Sequence, residues 1–287
     1  MFRWMQIIVL STIVVAGAAA QQPTFETRKI TDNVYVFRYV GHQSMFVVTP
    51  EGVIATDPIA YLRPQAAQAY IAEIRKVTSA PIKYVVYSHH HYDHAAGGRP
   101  FKELGATFVA HRNAKAHLEQ LKFAAVVMPD VLVDDKYVIE LGGVRVELYY
   151  VGRNHSDNSL VMLVPKDKIL FTVDFVPIET VHFRDMPDGF LPDWFDSLDR
   201  VMALDWDRMV TGHPYAGGRL GTREDVRNLI QYTNDLSAAV KAAADQGKCF
   251  DEAMAEVKLP KYEKWGSYAE YLPGNIERFC EYWARGY

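Results

Sequence analysis

The residues able to do chemistry gather in one short stretch, Ser88-His89-His90-His91-Tyr92-Asp93-His94, directly after the apolar run Ile82 to Tyr87. In extended backbone, side chains two positions apart share a side, so His89, His91 and Asp93 can converge while His90 and Tyr92 point away. His94 joins them where the chain turns, and Ala95-Ala96-Gly97-Gly98 lets it turn. Imidazoles and a carboxylate packed this closely form a hard-to-borderline ligand set suited to zinc. Further positions extend the set: His155 in Gly152-Arg153-Asn154-His155-Ser156, Asp174 after Ile169 to Val173, and His213 in Thr211-Gly212-His213-Pro214. Each follows an apolar strand-like run, at the edge where α/β sheets collect active-site groups. His89, His91, Asp93, His94, His155, Asp174 and His213 are too many for one tetrahedral ion and suit two.

The elements that must position these groups follow from periodicity. Val34 to Val40, Ser44 to Val48 and Val53 to Thr56 read as a strand meander broken by Gly41 and Pro50-Glu51-Gly52. Pro64 opens a helical pattern that Pro81 closes. Ile82 to Tyr87 and Thr107 to Ala110 are strands, with a short helix after Gly98 and another running through Leu121. The second half repeats the theme. Tyr137 to Glu140, Val144 to Val151, Leu160 to Val164 and Ile169 to Val173 are strands joined by Gly142-Gly143 and Pro165-Lys166-Asp167-Lys168. A helix from Pro192 to Leu204, a strand at Arg208 to Thr211 and long helices from Thr222 finish the chain. This order predicts an α/β chain of two halves packed sheet to sheet, with helices outside. No linker rich in Ser, Gly or Pro interrupts residues 21–287, so a single domain with a helical C-terminal part is expected. The aromatic stripe from Trp265 to Tyr287 reads as packing.

Composition narrows the partners. The 287 residues are 49 % hydrophobic and 23 % charged, which is globular and excludes a disordered chain. Basic residues number 31 against 35 acidic, for a formal charge of -4, so no basic track invites nucleic acid. Arg3 is the one charge in residues 1–20, and the apolar run from Ile7, broken at Ser11 and Thr12, ends in Ala18-Ala19-Ala20. That is the pattern of a secretory signal peptide cleaved near Ala20, which predicts a periplasmic or secreted protein without a stable membrane anchor. Cys249 and Cys280 would then mature in an oxidising compartment, as one bridge between helices or as two buried thiols.

The motif H-x-H-x-D-H at 89–94, then His155, Asp174 and His213, together with the apolar run Val53 to Asp57, resembles the metallo-β-lactamase superfamily of dinuclear zinc hydrolases across nearly the whole mature chain. The resemblance implies a four-layer αβ/βα sandwich with the metals at one edge. It implies that His89, His91 and His155 hold one Zn2+, that Asp93, His94 and His213 hold a second, and that Asp174 bridges them. Such sites accept other divalent metals as well. A zinc pair lowers the pKa of a shared water toward about 7, giving hydroxide at neutral pH. Asp93 would be the catalytic group that orients this nucleophile and passes its proton to the leaving atom.

Asp174 stands where zinc β-lactamases of the family usually carry cysteine or serine, whereas glyoxalase II-like and lactonase-like members usually keep the aspartate. The expectation is therefore an exported zinc hydrolase that cleaves an ester, lactone or related acyl bond of a small molecule. One alternative is a periplasmic zinc β-lactamase, which export favours. Another is an iron-dependent oxidoreductase of the same fold, although the diiron flavoprotein branch resembles H-x-E-x-D and this chain has His91 at the glutamate position. His42, in the first hairpin turn, and His182, in the loop after Asp174, are candidate substrate contacts. His90, His111 and His117 read as structural. The stretch Pro177 to Trp194 is a candidate specificity loop, with Phe183, Met186, Phe190 and Trp194 as an apolar wall and His182 and Arg184 as polar contacts.

Overall fold

The computed structural model describes residues 24–286, and the expected signal segment lies outside them. The first sheet runs β1 (Phe25–Lys29), β2 (Val34–Tyr39), β3 (His42–Thr49), β4 (Gly52–Thr56), β5 (Ile82–Val86), β6 (Thr107–His111) and β7 (Val131–Val133), in that order across the sheet. Tight turns make the first four strands antiparallel. The rest are parallel, because helices carry the crossovers between them. These helices are α1 (Ala66–Val77), α2 (Tyr92–Ala95), α3 (Arg99–Glu103) and α4 (Arg112–Leu121).

The second sheet contains β8 (Lys136–Leu141), β9 (Val144–Tyr150), β10 (Leu160–Val164), β11 (Ile169–Val173) and β12 (Arg208–Thr211), ordered 12-11-10-9-8. Only β11 and β12 pair in parallel, across the crossover helix α5 (Leu191–Ala203). The chain closes with α6 (Arg223–Ala244), α7 (Asp251–Glu256) and α8 (Tyr268–Cys280). Thr222 starts α6 with reciprocal bonds: its side chain accepts from the Asp225 N–H, and the Asp225 carboxylate accepts from the Thr222 N–H at 2.7 Å.

Alternation along the strands sorts the apolar side chains into layers. Val36, Met45, Ile54 and Val86 of the first sheet meet Val146, Leu148, Met162 and Phe171 of the second. On the outer face of the first sheet, Phe37, Phe46, Val85 and Phe108 pack on Tyr70, Ile74, Phe101 and Leu118 of the helices. On the other side, Val161, Leu163, Leu170 and Met209 pack on Leu198, Leu229, Leu236 and Phe279. The order is helix, sheet, sheet, helix, the expected four-layer αβ/βα sandwich. Strands β10 and β11 are buried at every position, which is why they read as unbroken apolar runs rather than alternating ones.

Local pattern did not foresee β1 and β7. Strand β1 is mostly exposed, so it carries no apolar alternation and is held by its pairing with β2. The extended backbone expected through His89 to Asp93 is also not what forms: His91 is extended, and Tyr92–Ala95 then winds into a helical turn. Cys249 and Cys280 are free thiols, and the Phe250 N–H donates to Cys280 Sγ at 3.2 Å. Among the described residues no helix is long and apolar enough to cross a membrane.

Candidate metal centre

Both sheets deliver their chemistry at one edge. The Ser88–His94 segment leaves the C-terminal end of β5, His155 lies in the loop after β9, Asp174 ends β11, and His213 follows β12. Asp57, just past β4 and fully buried, ties the first segment down. Its Oδ1 accepts the Ser88 N–H at 2.8 Å and its Oδ2 lies 3.2 Å from His94 Nδ1. The helical turn of α2 then sets Asp93 and His94 about 100° apart around its axis, so adjacent residues reach the same cluster from different directions. Val173 sits at φ +57, a left-handed conformation that costs a β-branched residue energy, and marks the turn into Asp174. Gly212 is required by space: a Cβ there would collide with Asp174 Oδ1 and lie 2.8 Å from His94 Cε1.

Two groups of side chains result. The ligand-capable atoms of His89, His91 and His155 lie within 4.8 Å of one another, as do those of Asp93, His94, Asp174 and His213. Asp174 stands between the groups, with Oδ2 3.8 Å from His89 Nε2, 3.7 Å from His155 Nε2, 3.1 Å from His94 Nε2 and 3.5 Å from His213 Nε2. Most of these rings are anchored through their outward nitrogen. His213 Nδ1–H donates to the Gly41 carbonyl at 2.7 Å, His91 Nε2–H donates to Asp188 Oδ2 at 2.6 Å, and His89 Nδ1 faces Ser88 Oγ at 3.0 Å. Such outer contacts fix the tautomer and aim the other nitrogen inward. The inward atom of His91 is therefore Nδ1, 3.1 Å from His155 Nε2.

Within the cluster, His89 Nε2, His94 Nε2 and Asp174 Oδ1 are buried without a hydrogen-bond partner. A buried polar atom left unpaired costs about 1–3 kcal/mol, so a cluster of them calls for an occupant that takes lone pairs. Imidazole nitrogen and carboxylate oxygen are the donors zinc and related divalent ions accept, and the residues fit such an ion. Charge already organises the cluster. Burial raises the Asp174 and Asp93 carboxyls, but the neighbouring imidazoles, His94 foremost, outweigh it and hold both below the ordinary range. Burial lowers His94, and here Asp174 and Asp93 prevail and raise it. His89 falls, through burial and then its neighbour His91.

A cavity of about 550 Å³ opens over the cluster. His42 lines it, with Nε2 3.3 Å from Asp93 Oδ2 and its ring centroid 4.5 Å from that of His213. Burial pushes this imidazole down to about 4. His182 does not reach the cavity. Val181 and Phe183 line it, whereas His182 between them is buried, with its Nε2 2.9 Å from Thr233 Oγ1.

Of the expected wall, Phe183 alone is in place. Met186 and Trp194 are buried in the core beneath the second sheet, and Phe190 lies 4.7 Å under the Arg153 guanidinium. Arg184 is exposed and rests on the Phe183 ring. Further lining comes from Tyr215, two positions past His213, which the sequence did not single out, and from Ser267 and Tyr271 at the start of α8, within the stripe expected to serve packing. His90 and His117 are engaged by Asn158 and Asp157, and His111 caps α4 by accepting the Asn113 N–H at 3.2 Å.

The sequence pattern of the metallo-beta-lactamase superfamily matches residues 41–213, which include the whole cluster. The chain belongs to the metallo-β-lactamase superfamily. It is 24 % identical over 253 residues to the 2,4-dinitroanisole O-demethylase subunit alpha of Nocardioides sp. (strain JS1661), covering 85 % of this chain and 72 % of that one. It is 22 % identical over 211 residues to a metallo-beta-lactamase type 2 of Elizabethkingia meningoseptica, covering 69 % and 82 %. With the linear primary-alkylsulfatase of Pseudomonas sp. (strain ATCC 19151) it shares 23 % over 280 residues, covering 79 % of this chain and 51 % of that one. The solved metallo-beta-lactamase from Pontibacter korlensis has the same fold, with a TM-score of 0.63 at 20 % identity over 74 % of this chain and 99 % of its own. The names of these relatives thus span different reactions.

Proposed function

We propose that this metallo-β-lactamase-superfamily protein is an exported zinc-dependent hydrolase that cleaves an ester, lactone or thioester of a small molecule. The observation that carries the reading is the convergence of unpartnered, buried donors from His89, His94 and Asp174 beneath an open cavity. His89, His91 and His155 would hold one ion, Asp93, His94 and His213 the other, with Asp174 between them. A bound zinc pair supplies Lewis acidity and lowers the pKa of water toward about 7, so no strong side-chain base is needed.

The chain's own residues do the rest. Asp93 lines the cavity, where an Asp93 Oδ can take the proton of the attacking water and return it to the leaving oxygen or sulfur. His42 Nε2, 3.3 Å from Asp93 Oδ2, keeps that carboxylate turned toward the substrate. Asp57, Asp188 and the Gly41 carbonyl hold the imidazoles, so the cluster need not reorganise on binding. The acidic residue at 174 supports acyl ester chemistry over β-lactam cleavage, while the β-lactamase relative keeps the latter as the second reading.

The test is the initial rate of zinc-loaded protein on a γ-lactone, an aryl ester and a chromogenic β-lactam, beside a chelated sample. Chelator-sensitive ester or lactone turnover is expected. Turnover of the β-lactam alone would replace this reading with the second, and stoichiometric iron with oxygen uptake would replace hydrolysis with oxidation. Export is checked by the mass of the secreted chain, expected to start near Gln21.

A further inference from the structure

We propose that the cavity selects a neutral substrate bearing an aromatic ring, which seats against Phe183, Tyr215 and Tyr271 in the cavity they share with the metal-capable side chains. This rests on the hydrolase reading of the same site. The cavity, at about 550 Å³, has the size of a small-molecule pocket. Its lining joins the imidazoles and carboxylates of the cluster to Val181, Phe183, Pro187, Tyr215 and Tyr271. Phe183 and Tyr271 meet edge to face, with centroids 5.4 Å apart and planes at 76°, which leaves a corner where a third ring can face one and abut the other. The Tyr215 ring, 5.9 Å from that of His213, links this corner to the metal-capable wall. An ester group attached to a ring seated there shares the cavity with Asp93 and Asp174.

Charge points the same way. Among the described residues no lysine or arginine lines the cavity, and Arg184 rests on Phe183 outside it. A substrate carboxylate seated against Tyr215 and Tyr271 would lose water with no lysine or arginine among the lining residues to pair with it, which is costly. The wall is also set before any ligand arrives. The Val181 N–H donates to the Gly266 carbonyl at 3.2 Å, the Gly266 N–H to the Glu179 carbonyl at 2.7 Å, and Asn275 Nδ2 to the His182 carbonyl at 2.9 Å. These bonds lock the loop after Asp174 onto α8, so little ordering is left for binding to oppose.

The test uses zinc-loaded protein in a pH-stat with matched esters. One series places the variable group on the acyl side, as methyl phenylacetate, methyl hexanoate and monomethyl adipate. The other places it on the leaving side, as the acetates of benzyl alcohol, hexanol and 6-hydroxyhexanoate. In at least one series kcat/KM is expected to be about tenfold higher for the ring than for the neutral chain, and lowest for the carboxylate. Tyr271→Ala is expected to erase the ring preference and Tyr271→Phe to keep it. Phe183→Ala, at a residue 47 % exposed and so tolerant of truncation, is the second variant and should weaken the preference.

Equal rates for ring and chain in both series, or preference for the carboxylate, would overturn the assignment and leave the hydrolase reading standing. Benzyl alcohol and hexanol are also titrated by ligand-observed NMR. Ring-selective binding that Tyr271→Ala abolishes, with no ester turned over, would overturn the hydrolase reading and leave the aromatic seat standing. Absence of ring-selective binding alongside absent turnover would remove both.

Discussion

Gly212→Ala tests the steric logic of the cluster at a residue that has no chemistry of its own. The added methyl would overlap Asp174 Oδ1, lie 2.8 Å from His94 Cε1 and 3.1 Å from Val173 Cγ1. The backbone cannot back away, because the Gly212 N–H donates to the Val173 carbonyl at 2.9 Å and its carbonyl accepts the Gln43 N–H at 2.7 Å. The Asp174 carboxylate must therefore swing, by about 1 Å to restore an ordinary contact, and misplacement of that size costs on the order of 100-fold in rate. Overpacking adds about 1–3 kcal/mol of destabilisation. The assay is ester hydrolysis at saturating zinc, with zinc affinity from chelator competition and a thermal melt of the metal-free protein. A rate about 100-fold lower, weaker zinc binding and a lowered Tm are expected. Wild-type rate and zinc affinity in the variant would refute the claim that Asp174 must sit where the glycine leaves room for it.

Asp188→Ala removes the carboxylate 2.6 Å from His91 Nε2 and should weaken zinc binding about 10–100-fold; unchanged affinity in chelator competition would deny Asp188 its orienting part. Asp93→Asn should lower kcat by about 100-fold or more while the circular dichroism spectrum is kept, and a near-normal rate with zinc present would remove Asp93 from proton transfer. Chelation of the wild type should abolish turnover, and zinc should restore it as two equivalents bind, as read by elemental analysis; full rate with the metal stripped would contradict the proposed centre. Burial pushes His182 down to about 3 from 6.5, with His155 second among the causes. The folded state thus resists protonation: His182's contribution is complete above pH 6.5 and is lost as pH falls toward 3, by about 2 kcal/mol between about pH 7.5 and pH 5. Urea unfolding of the metal-free protein should show this slope flattened in His182→Asn, and identical pH slopes in the two proteins would count against it.

Most strands and the candidate ligands are legible in the chain because both signals are local. Apolar runs and alternation mark the strands, and the ligands either crowd into one motif at 89–94 or stand at strand ends, as Asp174 and His213 do. Where local pattern was thin, reading failed: the exposed β1 has no alternation to show, and the helical turn of α2 is shorter than any periodicity can reveal. Which imidazole nitrogen faces inward is not written locally at all. It depends on Asp188 meeting His91 across 97 positions and on the Gly41 carbonyl meeting His213 across 172. The cavity is decided the same way. Val181 and Phe183 line the site while His182 between them is buried, and α8 folds back to supply Tyr271. Amino-acid type and spacing thus determined that this chain carries a metal-capable cluster. Only tertiary packing, which joins segments with no local relation, decided how its rings are aimed and what faces them.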